Sequence, residues 1–111
     1  MDETFGLKVE DINTILSILK KETDIEQAVI FGSRAKKIYK TGSDVDIALK
    51  GINVNHETVN QISYILNEET SMPYKFDIVD RSKISNPKLA EHIDEIGISI
   101  YIRNPGTSSK I

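Results

Sequence analysis

The segment Asp44-Val45-Asp46-Ile47-Ala48-Leu49-Lys50 alternates polar and apolar residues, the signature of a half-buried strand. Side chains in a strand point alternately to opposite faces, so Val45, Ile47 and Leu49 share one face while Asp44, Asp46 and Ala48 share the other. The strand therefore carries two carboxylates on one face, two residues apart. Their charges repel, and burial deprives them of water. A divalent cation resolves the conflict. Hard Mg2+ or Mn2+ prefers carboxylate oxygen and often binds one or two protein carboxylates together with phosphate oxygens. An isolated Asp-x-Asp is also common at a solvent-facing strand start, so the pair needs company before it implies chemistry.

Part of that company lies upstream. The short apolar run Gln27-Ala28-Val29-Ile30-Phe31 reads as a buried strand and ends at Gly32-Ser33, where a short helix spanning Arg34 to Tyr39 is expected to begin. Strand, glycine, serine and helix start together expose backbone N–H groups, and a helix N-terminus favours anions. Glycine admits close approach of a phosphate, and a serine hydroxyl can donate to its oxygens. The alternative is an ordinary tight turn with a serine cap. Neither a Walker P-loop nor a Gly-x-Gly-x-x-Gly fingerprint is present. Arg34, Lys36, Lys37 and Lys40 form a local basic cluster, suited to bound phosphate or simply to a solvated face. Downstream, Asp77 interrupts an apolar strand expected over residues 75–80 and calls for a partner. If that strand lies beside the one bearing Asp44 and Asp46, three carboxylates converge. Such a trio can hold two metals, with one acid free to take a proton from an attacking hydroxyl. Asp80 has the opposite parity. An edge-strand Asp77 facing water is the other reading.

The rest of the chain supplies a scaffold. Ile12, Ile15, Leu16 and Leu19 recur at helical spacing between about residues 7 and 22, with Glu10 and Asp11 in the first turn. Thr41-Gly42-Ser43 breaks the short helix, and Gly51 ends the strand after it. A second long helix is expected over about residues 55–68, burying Val59, Ile62 and Leu66. A last helix is capped by Asn86, opened by Pro87 and ended by Gly97, with Leu89, Ile93 and Ile96 as its buried stripe. Ile98 to Ile102 forms a final strand, and about 104–111 is a polar tail expected to fray. This order predicts an α/β (α+β) fold, a small mixed sheet with helices packed mainly on one face. The 111 residues suit a single domain, 1–111.

Composition narrows the classes. Without cysteine there is no disulfide, thiolate metal site or cysteine nucleophile. The net charge of −3 argues against broad binding to duplex nucleic acid. No secretory signal or membrane-length apolar run occurs, so a cytoplasmic protein is expected. His56 and His92 have no ligand spacing and point to no zinc site. Tyr64, Phe76 and Ile78 are expected in the core, and Tyr39 either stacks on a nucleobase or lies on a helix surface.

Ten residues, 34 to 43, separate Gly32-Ser33 from Asp44-Val45-Asp46. This Gly-Ser-x10-Asp-x-Asp pattern, and the text FGSRAKKIYKTGSDVDIAL around it, resembles the DNA polymerase β-like nucleotidyltransferase superfamily, in particular its minimal nucleotidyltransferase branch. The resemblance implies the nucleotidyltransferase fold. It also implies Gly32, Ser33 and Arg34 as nucleotide-binding residues, and Asp44, Asp46 and Asp77 as catalytic residues and metal ligands. Mg2+ is the implied cofactor, as one ion or two, with Mn2+ able to substitute and ATP as substrate. Many relatives have glycine at the position of Lys37, so the loop there is expected to differ. Larger members carry a further domain that grips the acceptor; this chain is expected to rely on a partner, a second copy or a large flexible substrate. Minimal relatives pair with a small helical HEPN protein as antitoxin and toxin, and the resemblance implies transfer of AMP to a tyrosine of that partner. Two alternatives are modification of a small molecule with a helical substrate-binding subunit, and a non-catalytic HEPN-binding module.

Overall fold

The computed structural model describes residues 5–40 and 42–103. Helices and strands alternate: α1 (Val9–Lys21), β1 (Gln27–Phe31), α2 (Gly32–Ala35), β2 (Val45–Lys50), α3 (His56–Glu68), β3 (Phe76–Asp80), α4 (Pro87–Ile96) and β4 (Ile98–Ile102), with a 3-10 turn at Arg81–Lys83. The expected elements are present, and the frayed tail expected at 104–111, like Thr41 of the expected helix break, lies outside the described residues. Among the described residues no helix is long and apolar enough to cross a membrane.

The four strands form one mixed sheet in the order β3-β2-β1-β4. β1 pairs antiparallel with β2 and with β4, while β2 and β3 run parallel, joined by α3. Strand alternation divides the interior in two. Ala28 and Ile30 of β1, Val45, Ile47 and Leu49 of β2, and Phe76 and Ile78 of β3 face Ile15 and Leu19 of α1 and Ile62 and Leu66 of α3. The opposite face holds a smaller cluster of Val29, Phe31, Ala48 and Ile93, covered by α4. The two long helices thus share one face, and α4 takes the other.

The helix ends follow from the sequence. The Asn55 side chain accepts the N–H groups of Glu57 and Thr58, and Thr58 reciprocates toward the Asn55 N–H, a capping box without an acid. Asn86 caps α4 just before Pro87, as expected. α2 is shorter than the expected Arg34–Tyr39. Lys37 takes φ 63°, the Lys37 N–H donates to the Arg34 carbonyl, and the Ile38 N–H donates to the Ser33 carbonyl. That pair of bonds, closed by a left-handed residue, ends the helix after one turn. Tyr64 is 58% exposed and lies outside the core, because its position on α3 turns away from the sheet, whereas Phe76 and Ile78 are buried as expected.

Candidate active site

β2 and β3 run parallel in a register that sets Asp46 directly beside Asp77. Register partners in a sheet share a face, so both carboxylates project from the side occupied by α4. Asp44 precedes Asp46 by two residues and joins that face at the open end of β2, where the Val45 N–H bonds the Lys75 carbonyl at 2.8 Å. Val45, between the two acids, is fully buried on the opposite face. Asp44 and Asp77 are exposed and Asp46 is partly buried. Asp80, the second acid of β3, faces the other way, where its Oδ1 accepts the Ser82 N–H at 2.9 Å and hydroxyl at 2.7 Å.

The crowding has an electrostatic signature. Burial, then the charges of Asp77 and Asp44, push the Asp46 carboxyl above the usual carboxylate range, and the charge of Arg34 offsets part of this. A cation between these groups relieves the strain on Asp46. Among the described residues, however, no three His, Asp or Glu side chains are gathered so that they could hold a metal ion by themselves. Oxygen ligands from a phosphate would complete the shell, which is how Mg2+ is commonly bound.

Gly32 closes the site from the β1 side. Its φ is 76°, and a Cβ there would collide with the Asp46 Oδ2. Glycine is therefore needed twice, for the left-handed backbone and for the carboxylate pressed against it. Ser33 follows, partly exposed, in the one-turn α2. A single turn carries little macrodipole, so an anion here would be met by the amides and hydroxyl of the turn. Gly32, Ser33, Lys36, Asp46, Leu89 and His92 line an open cleft of about 360 Å3.

Arg34 departs from the expectation that it meets phosphate. Its side chain is 2% exposed. Nη1 donates to the Phe5 carbonyl at 2.8 Å, Nη2 and Nε donate to the Ser43 carbonyl at 2.8 and 3.3 Å, and the guanidinium lies over the rings of Tyr39 and Tyr74. With its donors pointed at carbonyls away from the cleft, it fastens the loop that delivers Asp44 and acts on Asp46 only through its charge. Tyr39 accordingly packs against Arg34. The basic residue at the cleft is Lys36, two positions on and exposed.

Two contacts were not legible beforehand. The Gly32 N–H donates to the Nε2 of His92 at 2.9 Å, and the His92 ring meets Phe31 edge-on at 6.0 Å. Asn67 on α3 pairs with both backbone groups of Phe76, accepting its N–H at 2.8 Å and donating to its carbonyl at 3.0 Å. Each joins residues on separate elements, and no local pattern announces it.

Residues 13–106 match the family described as Polymerase beta, Nucleotidyltransferase. No curated protein matches the chain. Among solved structures, a toxin–antitoxin complex with AMP-PNP superposes with a TM-score of 0.69 at 17% identity, over 87% of this chain and 77% of that one. The tri-AMPylated Shewanella oneidensis HEPN toxin in complex with MNT antitoxin gives 0.64 at 16% identity, over 89% and 76%. The MntA-HepT toxin–antitoxin gives 0.63 at 17% identity, over 85% and 72%. At these identities the likeness is one of fold.

Proposed function

This chain belongs to the polymerase β nucleotidyltransferase family and is a nucleotidyltransferase, and from that premise we propose that it transfers AMP from ATP to a tyrosine hydroxyl of a small helical HEPN partner, as an antitoxin. The observation that carries the reading is the register pair Asp46–Asp77 with the Gly32 backbone set against Asp46. The Asp46 carboxylate and the Gly32–Ser33 turn thereby line one cleft. Asp44, Asp46 and Asp77 would hold Mg2+ only together with phosphate oxygens, because among the described residues no three side chains gather closely enough to hold an ion alone. When bound, the cation supplies electrostatic stabilisation of charge on the phosphates.

The chain's own residues account for the rest. Gly32, whose own N–H is taken by His92, lets the triphosphate approach closely, Ser33 receives it through its backbone N–H and hydroxyl, and Lys36 lends positive charge at the cleft. Arg34 holds the Asp44 loop in place. Asp77, exposed beside Asp46, is the carboxylate that takes the proton from the acceptor hydroxyl. The oxygen of that hydroxyl bonds to the α-phosphorus while the bond to the bridging oxygen breaks, and pyrophosphate leaves with the departing electron pair.

The fold likeness to the toxin–antitoxin complexes supports the choice of acceptor, one of them holding an AMPylated HEPN toxin. Incubation with ATP labelled at the α-phosphate, Mg2+ and a small helical HEPN protein that binds this chain is expected to place label on a partner tyrosine. Tight binding of the two proteins with no label transferred would contradict it.

A further inference from the structure

We propose that His92 is a positioning residue for the Gly32–Ser33 turn, holding it open to receive the triphosphate; this rests on the reading of the cleft as a nucleoside triphosphate site. A backbone N–H can only donate, so the Nε2 that meets Gly32 at 2.9 Å carries no proton. In this contact Nε2 is the acceptor, so its lone pair is committed to the turn. The ring is fixed in turn. It packs edge-on against Phe31, and the next residue, Ile93, is 1% exposed in the cluster with Val29, Phe31 and Ala48.

Gly32 is held on two sides. His92 takes its N–H, and the Asp46 carboxylate occupies the space where a Cβ would stand. Both contacts restrict a residue whose φ of 76° glycine alone enters cheaply. The Ser33 hydroxyl and the amides after it are then presented to the cleft in one arrangement, so their ordering cost is met before nucleotide arrives. α4 therefore contributes to nucleotide binding through a residue that need not touch the nucleotide.

Two variants separate the acceptor from the packing. His92→Phe keeps a ring against Phe31 and loses the acceptor, whereas His92→Gln offers a side-chain oxygen in place of Nε2. Calorimetric titration of the full chain with ATP and Mg2+ is expected to show about tenfold weaker binding for His92→Phe. His92→Gln should recover to within about threefold of the parent. Unchanged affinity in His92→Phe, or equal loss in both variants, overturns the proposal. The parent protein provides a check that needs no variant: a 15N–15N coupling across the Gly32 N–H to His92 Nε2 bond is expected, and its absence refutes the anchor. If the parent binds no ATP, the nucleotide reading fails, while the coupling still decides whether His92 holds the turn.

Discussion

Lys37 occupies a backbone conformation that suits glycine. At φ 63° it closes α2, and a side chain there costs about 1 kcal/mol relative to glycine. Lys37→Gly is expected to raise stability by about 0.5–1 kcal/mol, or roughly 3–5 °C in a thermal melt. The loop thus holds a non-glycine residue in a left-handed conformation that glycine enters more cheaply. Asp46 carries the opposite kind of strain. Its carboxyl titrates above the usual range, so the folded chain holds that proton more tightly than the unfolded chain does. The contribution to stability is present at low pH and is lost as pH rises through the folded value. Asp46→Asn removes the ionised burden at neutral pH. Without metal it should melt roughly 1–3 °C higher than the parent while losing transferase activity. Residue roles were unevenly legible in the sequence. Gly32 and Asp46 stood out by spacing, but the choice between Arg34 and Lys36 depends on how one turn of helix aims each side chain.

At the scale of elements, alternation carried most of the information. The burial of Val45, Ile47 and Leu49 opposite Asp44 and Asp46 follows the strand period, and the capped start of α4 lies where Asn86 and Pro87 put it. The pairing of β2 with β3 was not legible, because strand neighbours are chosen by the packing of α3 rather than by either strand alone. Asn67 shows the kind of contact that sets this arrangement. Its amide satisfies both backbone groups of Phe76, one residue before Asp77, and so fixes where β3 begins. Asn67→Ala leaves those groups without a protein partner. It is expected to cost about 2 kcal/mol in denaturant unfolding and to lower transferase activity through Asp77.

Across the whole molecule, the site exists because four separate stretches converge on one sheet face. β1 ends in the Gly32 turn, the start of β2 carries Asp46 with Asp44 just before it, β3 brings Asp77 alongside, and α4 supplies His92. The first two were readable as a spaced motif; the last two required the sheet order and the helix that covers its second face. The division of the interior makes this possible. The large cluster under α1 and α3 anchors the fold, so the opposite face can carry charge at its open end. The central claim is that nucleotidyl transfer depends on Asp44 and Asp46. The direct measurement is the rate of label transfer from α-labelled ATP to the partner in the presence of Mg2+. It compares the parent with an Asp44→Ala, Asp46→Ala double variant whose fold is verified by circular dichroism. The double variant is expected to lose at least about a thousandfold; full transfer activity in it would show that the reaction does not need these two carboxylates.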